Sequence, residues 1–358
     1  MKTLTATLLL LPACLTALAQ VSQADLEGLE RHRKPQRTVS VLQSIDDAQD
    51  TSRWDSSLIG TWDFLDEEER AADGGIEEIE EEEGLQADRT TMQGRVAMLP
   101  AELLIPYNDA LERQIANYVV RHAGALRGIL GKYAHYERAF RSAFASQGIP
   151  EELTALAIVE SAMNPLARSN AGATGMWQFM KDAAKTYGLR CDYVVDERLD
   201  PYRSADAAAK YLRHAYQRFG DWPLAISSYN CGAANVERAI ALAGGSTAFW
   251  DVYPYLPSET KGYMPAFIAA LYTIRFHSLH GIEPRPYSEG AVSNFRITRN
   301  MTYKEIIRAT GIEQKELVRL NPQYLTGAIP GGERNYILRL PKKYATLFKD
   351  NIDVVNAW

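Results

Sequence analysis

Across residues 108–279 the apolar residues return every three to four positions, and each run is closed by a residue that stops a helix. A helical period kept up over so long a stretch leaves little room for a sheet, so this part must fold as helices packed on helices. Asn108 can cap a helix bearing Leu111, Ile115, Tyr118 and Val119 on one face. A second run covers 136–144 and closes near Gly148. Pro150 suits the first position of a third helix, Glu151 and Glu152 suit its first turn, and Asn164-Pro165 ends it. Thr174 is placed to cap a fourth helix that ends at Gly188. Asp200-Pro201 opens a fifth, with Ala205, Ala208, Ala209, Leu212 and Phe219 ahead of Gly220. Shorter helices are expected around 224–229 and 236–242, and a last one carries Ala266, Phe267, Ala270, Leu271 and Ile274. The expected class is mainly α.

The pattern changes at His280-Gly281-Ile282-Glu283-Pro284-Arg285-Pro286, which reads as the start of a linker. Beyond it, Phe295-Arg296-Ile297-Thr298 alternates as a strand does. A short helix (Tyr303, Ile306, Ile307), Gly311 and a second helix (Leu317, Leu320) stopped by Asn321-Pro322 come next. Ile329-Pro330-Gly331-Gly332 then turns into a second strand from Tyr336 to Pro341, so the order is β-α-α-β.

At the N-terminus, Lys2, an apolar stretch over 4–18 and Ala17-Leu18-Ala19 before Gln20 form a secretory signal peptide. A rival reading takes Leu11-Pro12-Ala13-Cys14 as a lipid-anchor signal at Cys14; Pro12 is unusual there, and soluble export is preferred. The expected division is 1–19 leader, 20–98 acidic arm, 99–280 helical domain, 281–293 linker, 294–341 β-α-α-β unit and 342–358 tail.

The 358 residues suffice for two or three domains, and 46% hydrophobic content excludes a wholly disordered chain. After residue 20 no apolar run approaches the ~20 residues that span a bilayer, so no membrane span is expected. The net charge of -6 conceals an acidic stretch at 61–83 with net -11, which leaves the remainder at +5. A mildly basic body suits an anionic polymer but is too weak a signal for nucleic acid, and no nucleic-acid motif is present. Beyond the leader stand Cys191 and Cys231, either buried free thiols or a disulfide pair in an exported protein. They lack a His pair at ligand spacing, so no metal is expected.

One side chain stands out in the third helix. Leu153, Leu156, Ala157 and Glu160 share a face, and Glu160 falls in the last turn, where the backbone dipole is negative. Burial and that pole both favour the protonated acid, the form a general acid needs. The same pattern also fits a buried Glu held in a structural salt bridge, and the helix alone does not separate the two.

Neighbouring motifs do. Glu160-Ser161, Asn164-Pro165, Gly172-Ala173-Thr174-Gly175-Met176-Trp177-Gln178-Phe179-Met180, Ser228-Tyr229-Asn230-Cys231-Gly232 and Pro257-Ser258-Glu259-Thr260-Lys261-Gly262-Tyr263 follow in order. In that order and spacing, roughly residues 105–280 resemble the catalytic domain of lytic murein transglycosylases of glycoside hydrolase family 23. The Trp-Gln-Phe-Met variant resembles the membrane-bound lytic transglycosylase D subgroup. The resemblance implies a lysozyme-like helical domain with a saccharide groove for peptidoglycan glycan strands, located in the periplasm or at the outer membrane, with no cofactor. It implies Glu160 as sole acid/base and Ser161 as a polar neighbour in the groove. Gly175, Met176, Trp177 and Gln178 would form the groove floor, with Gln178 donating to sugar. Tyr229 and Asn230 would meet N-acetyl groups, and Tyr263 would lie beside Glu160. Trp177, Tyr229 and Tyr263 can equally be core packing. In Asp196-Glu197-Arg198-Leu199-Asp200-Pro201 the aspartate Asp200 is better read as a helix cap than as a catalytic acid, and Glu259 is the one other acid near a motif. Trp177 and Ser228 depart from the usual Met and Ala.

With a single acid in place of the usual carboxylate pair, the second role should fall to the substrate; in the reaction that the resemblance implies, the muramic C6 hydroxyl closes a 1,6-anhydro ring and no water is consumed. A muramidase cutting the same bond and a non-catalytic wall-binding protein are the alternatives. The β-α-α-β unit resembles a LysM module, which binds N-acetylglucosamine chains, although Asn300-Met301-Thr302 replaces a common Gly-Asp-Thr. A structural cap that binds nothing is the other reading.

Overall fold

The computed structural model describes residues 88–332 and 334–352. The leader, Cys14 and the acidic stretch at 61–83 lie outside the described residues.

Helix α1 (Arg89–Val96) is capped by Asp88, whose carboxylate accepts from Thr91 N, and it buries Met92 and Val96. It falls inside the segment read as an acidic arm, so helical order starts earlier than expected. Met92, Val96 and Leu99 recur at helical spacing, but three apolar residues among polar ones are too faint a pattern to read. In α2 (Asp109–Ala116) the expected cap is present, Asn108 Oδ1 accepting from Leu111 N at 3.0 Å. One π turn (Asn117–Arg121) leads to α3 (Ala123–Ser146), which begins well before the expected 136. Gly131 hides this start: a Cβ there would meet the Arg285 carbonyl at 1.7 Å, so the helix carries a glycine for close packing.

The third predicted helix starts as a 3-10 turn (Glu151–Ala155) and continues as α4 (Leu156–Ser161). The Thr174 cap is not formed. Thr174 pairs across a tight turn with Arg168 and Phe179, and α5 (Lys181–Thr186) starts only after Met180. In α6 (Pro201–Phe219), Asp200 caps Tyr202 N and Arg203 N, and Gly220 ends the helix at φ 68°, as the sequence suggests. Then come α7 (Trp222–Cys231), α8 (Ala233–Leu242), α9 (Phe249–Val252) and α10 (Ser258–Phe276). From Gly262 to Thr273 every residue of α10 is buried, which marks it as the central helix. It packs on α2, α4 and α7. Each large side chain it buries, such as Phe267 or Ile268, contributes roughly 1.5–3 kcal/mol.

The segment read as a linker is docked. Arg285 N donates to Arg127 O at 2.8 Å, and Tyr136 donates to Glu289 Oε1 at 2.6 Å. The C-terminal unit then pairs β1 (Val292–Ile297) antiparallel with β4 (Tyr336–Pro341), Val292 opposite Pro341 and Ile297 opposite Tyr336. Between them lie α11 (Tyr303–Thr310) and α12 (Gln314–Leu320), the expected β-α-α-β order. A second pair, β2 (Met301–Thr302) with β3 (Ala328–Ile329), was not expected, being too short to alternate. Nor was a helix in the tail: α13 (Ala345–Asn351) buries Phe348 against Phe295, ring centroids 4.7 Å apart. Cys191 and Cys231 are free thiols. Among the described residues no helix is long and apolar enough to cross a membrane.

Candidate active site

Glu160 is the penultimate residue of α4, and the chain turns sharply just after it. Ala162 and Met163 both take left-handed φ, 49° and 63°, although neither is glycine. Each costs about 1 kcal/mol or more. Full burial of both side chains and a bond from Met163 N to Ala157 O at 3.3 Å hold them there. As the helical spacing implied, Leu153, Leu156 and Ala157 point into the core while Glu160 remains part-exposed.

Burial raises the Glu160 pKa from 4.5 to about 7, against the opposing pull of a hydrogen bond from Tyr263. Tyr263, on α10, donates its hydroxyl to Glu160 Oε1. Its own pKa is held well above the ordinary value by burial and by the nearby Glu160. Among the described residues no arginine or lysine pairs with Glu160, so the salt-bridge reading does not apply to it there. One turn earlier on α10, Thr260 donates to Asn230 Oδ1 at 2.8 Å, leaving the rest of the exposed Asn230 amide toward solvent. Thr260 was not singled out from the sequence, although it lies three residues before Tyr263 and therefore on the same helix face.

The glycine-rich motif lies against this corner as a turn whose carbonyls, rather than side chains, face Glu160's neighbours. Ser161 is fully buried, and its Oγ donates to Met176 O at 2.8 Å. It therefore ties α4 to the turn and does not line a groove as expected. Gly175 has φ 85°, and a Cβ there would stand 1.8 Å from the Arg198 carbonyl, so only glycine fits. Met176 and Trp177 are wholly buried. The indole packs between Phe140 and Phe144, with centroids at 5.2 and 5.4 Å, so Trp177 is core and not a sugar platform. Gln178 spends its amide nitrogen on Ala167 O at 3.2 Å and Gly175 O at 2.8 Å, leaving it no donor for sugar. Tyr229, near the end of α7, donates to Trp177 O at 2.9 Å. The turn is thus gripped by Ser161 on one carbonyl and Tyr229 on the next.

Arg198, inside the acidic run whose Asp200 reads as a helix cap, braces the far side of the turn. Its Nη1 donates to Gly172 O and Phe179 O, both at 3.1 Å. Asp200 caps a helix as expected, and Glu259 is exposed at the start of α10. Among the described residues no three His, Cys, Asp or Glu gather as a metal site.

Residues 139–249, within the helical domain that carries Glu160, match the family model described as the transglycosylase SLT domain. Residues 291–357 match the family model described as the LysM-like domain of lytic transglycosylase MltD. The two matches fall on the mainly helical domain and on the small LysM-like module that the motifs implied. The membrane-bound lytic murein transglycosylase D of Escherichia coli is 28% identical over 253 residues, covering 69% of this chain and 55% of that protein. The membrane-bound lytic murein transglycosylase F of Shewanella pealeana is 35% identical over 149 residues, 38% of this chain and 29% of that one. The crystal structure of the 70 kDa soluble lytic transglycosylase of Escherichia coli matches with a TM-score of 0.37 at 24% identity, covering 46% of this chain and 28% of that one. This chain spans about half the length of the transglycosylase D relative it matches.

Proposed function

We propose that this protein is an exported peptidoglycan lytic transglycosylase that cuts the bond from N-acetylmuramic acid to N-acetylglucosamine without water. The observation that carries this reading is Glu160, an acid that burial keeps protonated up to about pH 7 within the SLT domain. In the first step Glu160 gives its proton to the glycosidic oxygen as the bond to muramic C1 breaks. In the second, the resulting carboxylate takes the proton of the muramic C6 hydroxyl while O6 bonds to C1. Glu160 ends protonated, and the product is a 1,6-anhydro sugar. Its pKa near neutrality suits both halves, since one group must give and then regain a proton. Tyr263 holds Oε1 and so aims the other oxygen. The exposed Asn230, anchored by Thr260, is suited to an N-acetyl group. Tyr229 and the turn at 175–178 serve through the backbone they hold. The place of action is the periplasm, where the glycan strands lie.

Digestion of purified sacculi followed by mass spectrometry tests this. Products lighter by one water than hydrolytic muropeptides are expected, and none with Glu160→Gln. Water-bearing products would make the protein a muramidase, and retained turnover in the variant would remove Glu160 from the reaction.

A further inference from the structure

The LysM-like unit meets the helical domain along the segment 188–202, and that same segment braces the turn beside Glu160. Val195 is fully buried in the small unit's core, with Phe295, Leu317, Tyr324 and Leu338. Backbone bonds fix the chain on either side of it, Leu325 N to Val194 O and Asp196 N to Gln323 O, both 2.9 Å. Arg339 of β4 makes two 3.0 Å hydrogen bonds to Asp200, and both side chains are under a tenth exposed. The same guanidinium lies over the Tyr202 ring, 4.5 Å from its centroid. Arg334 adds bonds to Glu197 at 2.5 Å and to Gly188 O at 2.7 Å.

Between these anchors stands Arg198. Its Nε and Nη2 fork onto the Asp196 carboxylate at 2.9 and 2.8 Å. Its remaining nitrogen, Nη1, closes the two ends of the turn by bonding Gly172 O and Phe179 O. The Arg198 carbonyl also packs against Gly175. From the opposite side Ser161, next to Glu160, and Tyr229 hold Met176 O and Trp177 O. A lysine could keep the charge beside Asp196 but has no fork with which to reach both carbonyls as well.

We propose that Arg198 is a positioning residue for the Glu160 site, and that the LysM-like unit holds Arg198 in place by burying Val195, bonding Asp196 N and pairing Arg339 with Asp200. The small unit is therefore part of the scaffold of the reaction. The inference rests on the transglycosylase reading above.

The test uses the full chain and a soluble tetrasaccharide of alternating N-acetylglucosamine and N-acetylmuramic acid, with sacculi as a second substrate. Circular dichroism sets an assay temperature below the melting onset of every variant. Arg198→Lys is expected to lower kcat on the tetrasaccharide about ten- to a hundredfold while KM stays within about twofold, since misplacement of the acid slows chemistry more than binding. Arg339→Gln is expected to lower kcat in the same way. The double variant Asp200→Asn/Arg339→Gln, which restores an uncharged hydrogen-bonded pair, should recover part of the loss. A folded Arg198→Lys protein with wild-type kcat overturns the proposal. So does an Arg339→Gln protein altered only in its KM for sacculi, which makes the unit a glycan holder. Should Arg339→Gln fail to fold, the Arg198→Lys comparison decides. If the wild type turns over neither substrate, the transglycosylase reading fails first and takes this one with it.

Discussion

Replacing Glu160 by Gln removes a titrating proton while keeping the side chain's volume and one hydrogen-bond acceptor for Tyr263. Its effect on stability should therefore depend on pH alone. Glu160 is protonated in both folded and unfolded chains below pH 4.5. Between 4.5 and about 7 the unfolded chain has released the proton and the folded one keeps it, so stability falls as pH rises through that window. Above pH 7 the folded protein carries an ionised, poorly solvated carboxylate. At about 1.4 kcal/mol per pKa unit the cost is ~3 kcal/mol, or about 2–3 kcal/mol when partial exposure of the side chain is allowed for. Gln has no such cost. Urea or thermal unfolding from pH 4 to pH 8.5 should show the two proteins alike at the acid end, and the variant more stable at the alkaline end. For a domain of this size the difference is roughly 5–10 °C in Tm. Parallel curves, or a variant less stable at pH 8, would refute the reasoning, because the first means that folding leaves the Glu160 pKa unshifted and the second that the folded protein stabilises its anion.

Tyr263→Phe removes the hydroxyl that opposes burial at Glu160, so the Glu160 pKa should rise further. The alkaline limb of the kcat/KM profile should move up by about one pH unit, and turnover should fall about tenfold, the worth of one hydrogen bond to a charged group; an unmoved limb would detach Tyr263 from the acid. Phe348→Ala should cost about 3–5 kcal/mol in urea unfolding, because the ring is fully buried against Phe295. A loss below about 0.5 kcal/mol would return residues 345–351 to the status of a tail.

Local signals were the legible ones. Asn108, Asp200 and Gly220 act at helix ends through their own side chains and backbone angles, and they stand where the sequence put them. The same holds for Glu160, whose place in the last turn follows from helical spacing. Elements whose signal is borrowed from distant contacts were missed. The start of α3 is masked by Gly131, which is small because Arg285 crosses it from 154 positions away. Thr174 reads locally as the cap of a helix, and nothing local reveals that residues 172–179 form a turn that Arg198 closes.

The sequence by itself determined a mainly helical domain, a small β-α-α-β unit after it, and one acid on an apolar helix face, because periodicity and capping are written in neighbouring residues. Tertiary structure alone decided which way the motif side chains point. Ser161, Trp177 and Gln178 turned inward to hold the backbone, although their order in the motif suggested a sugar-facing floor. It also decided that the Asp196-to-Asp200 run joins the two units. A hydrogen bond or a buried ion pair depends on where two remote segments meet in space, and no local period records that meeting.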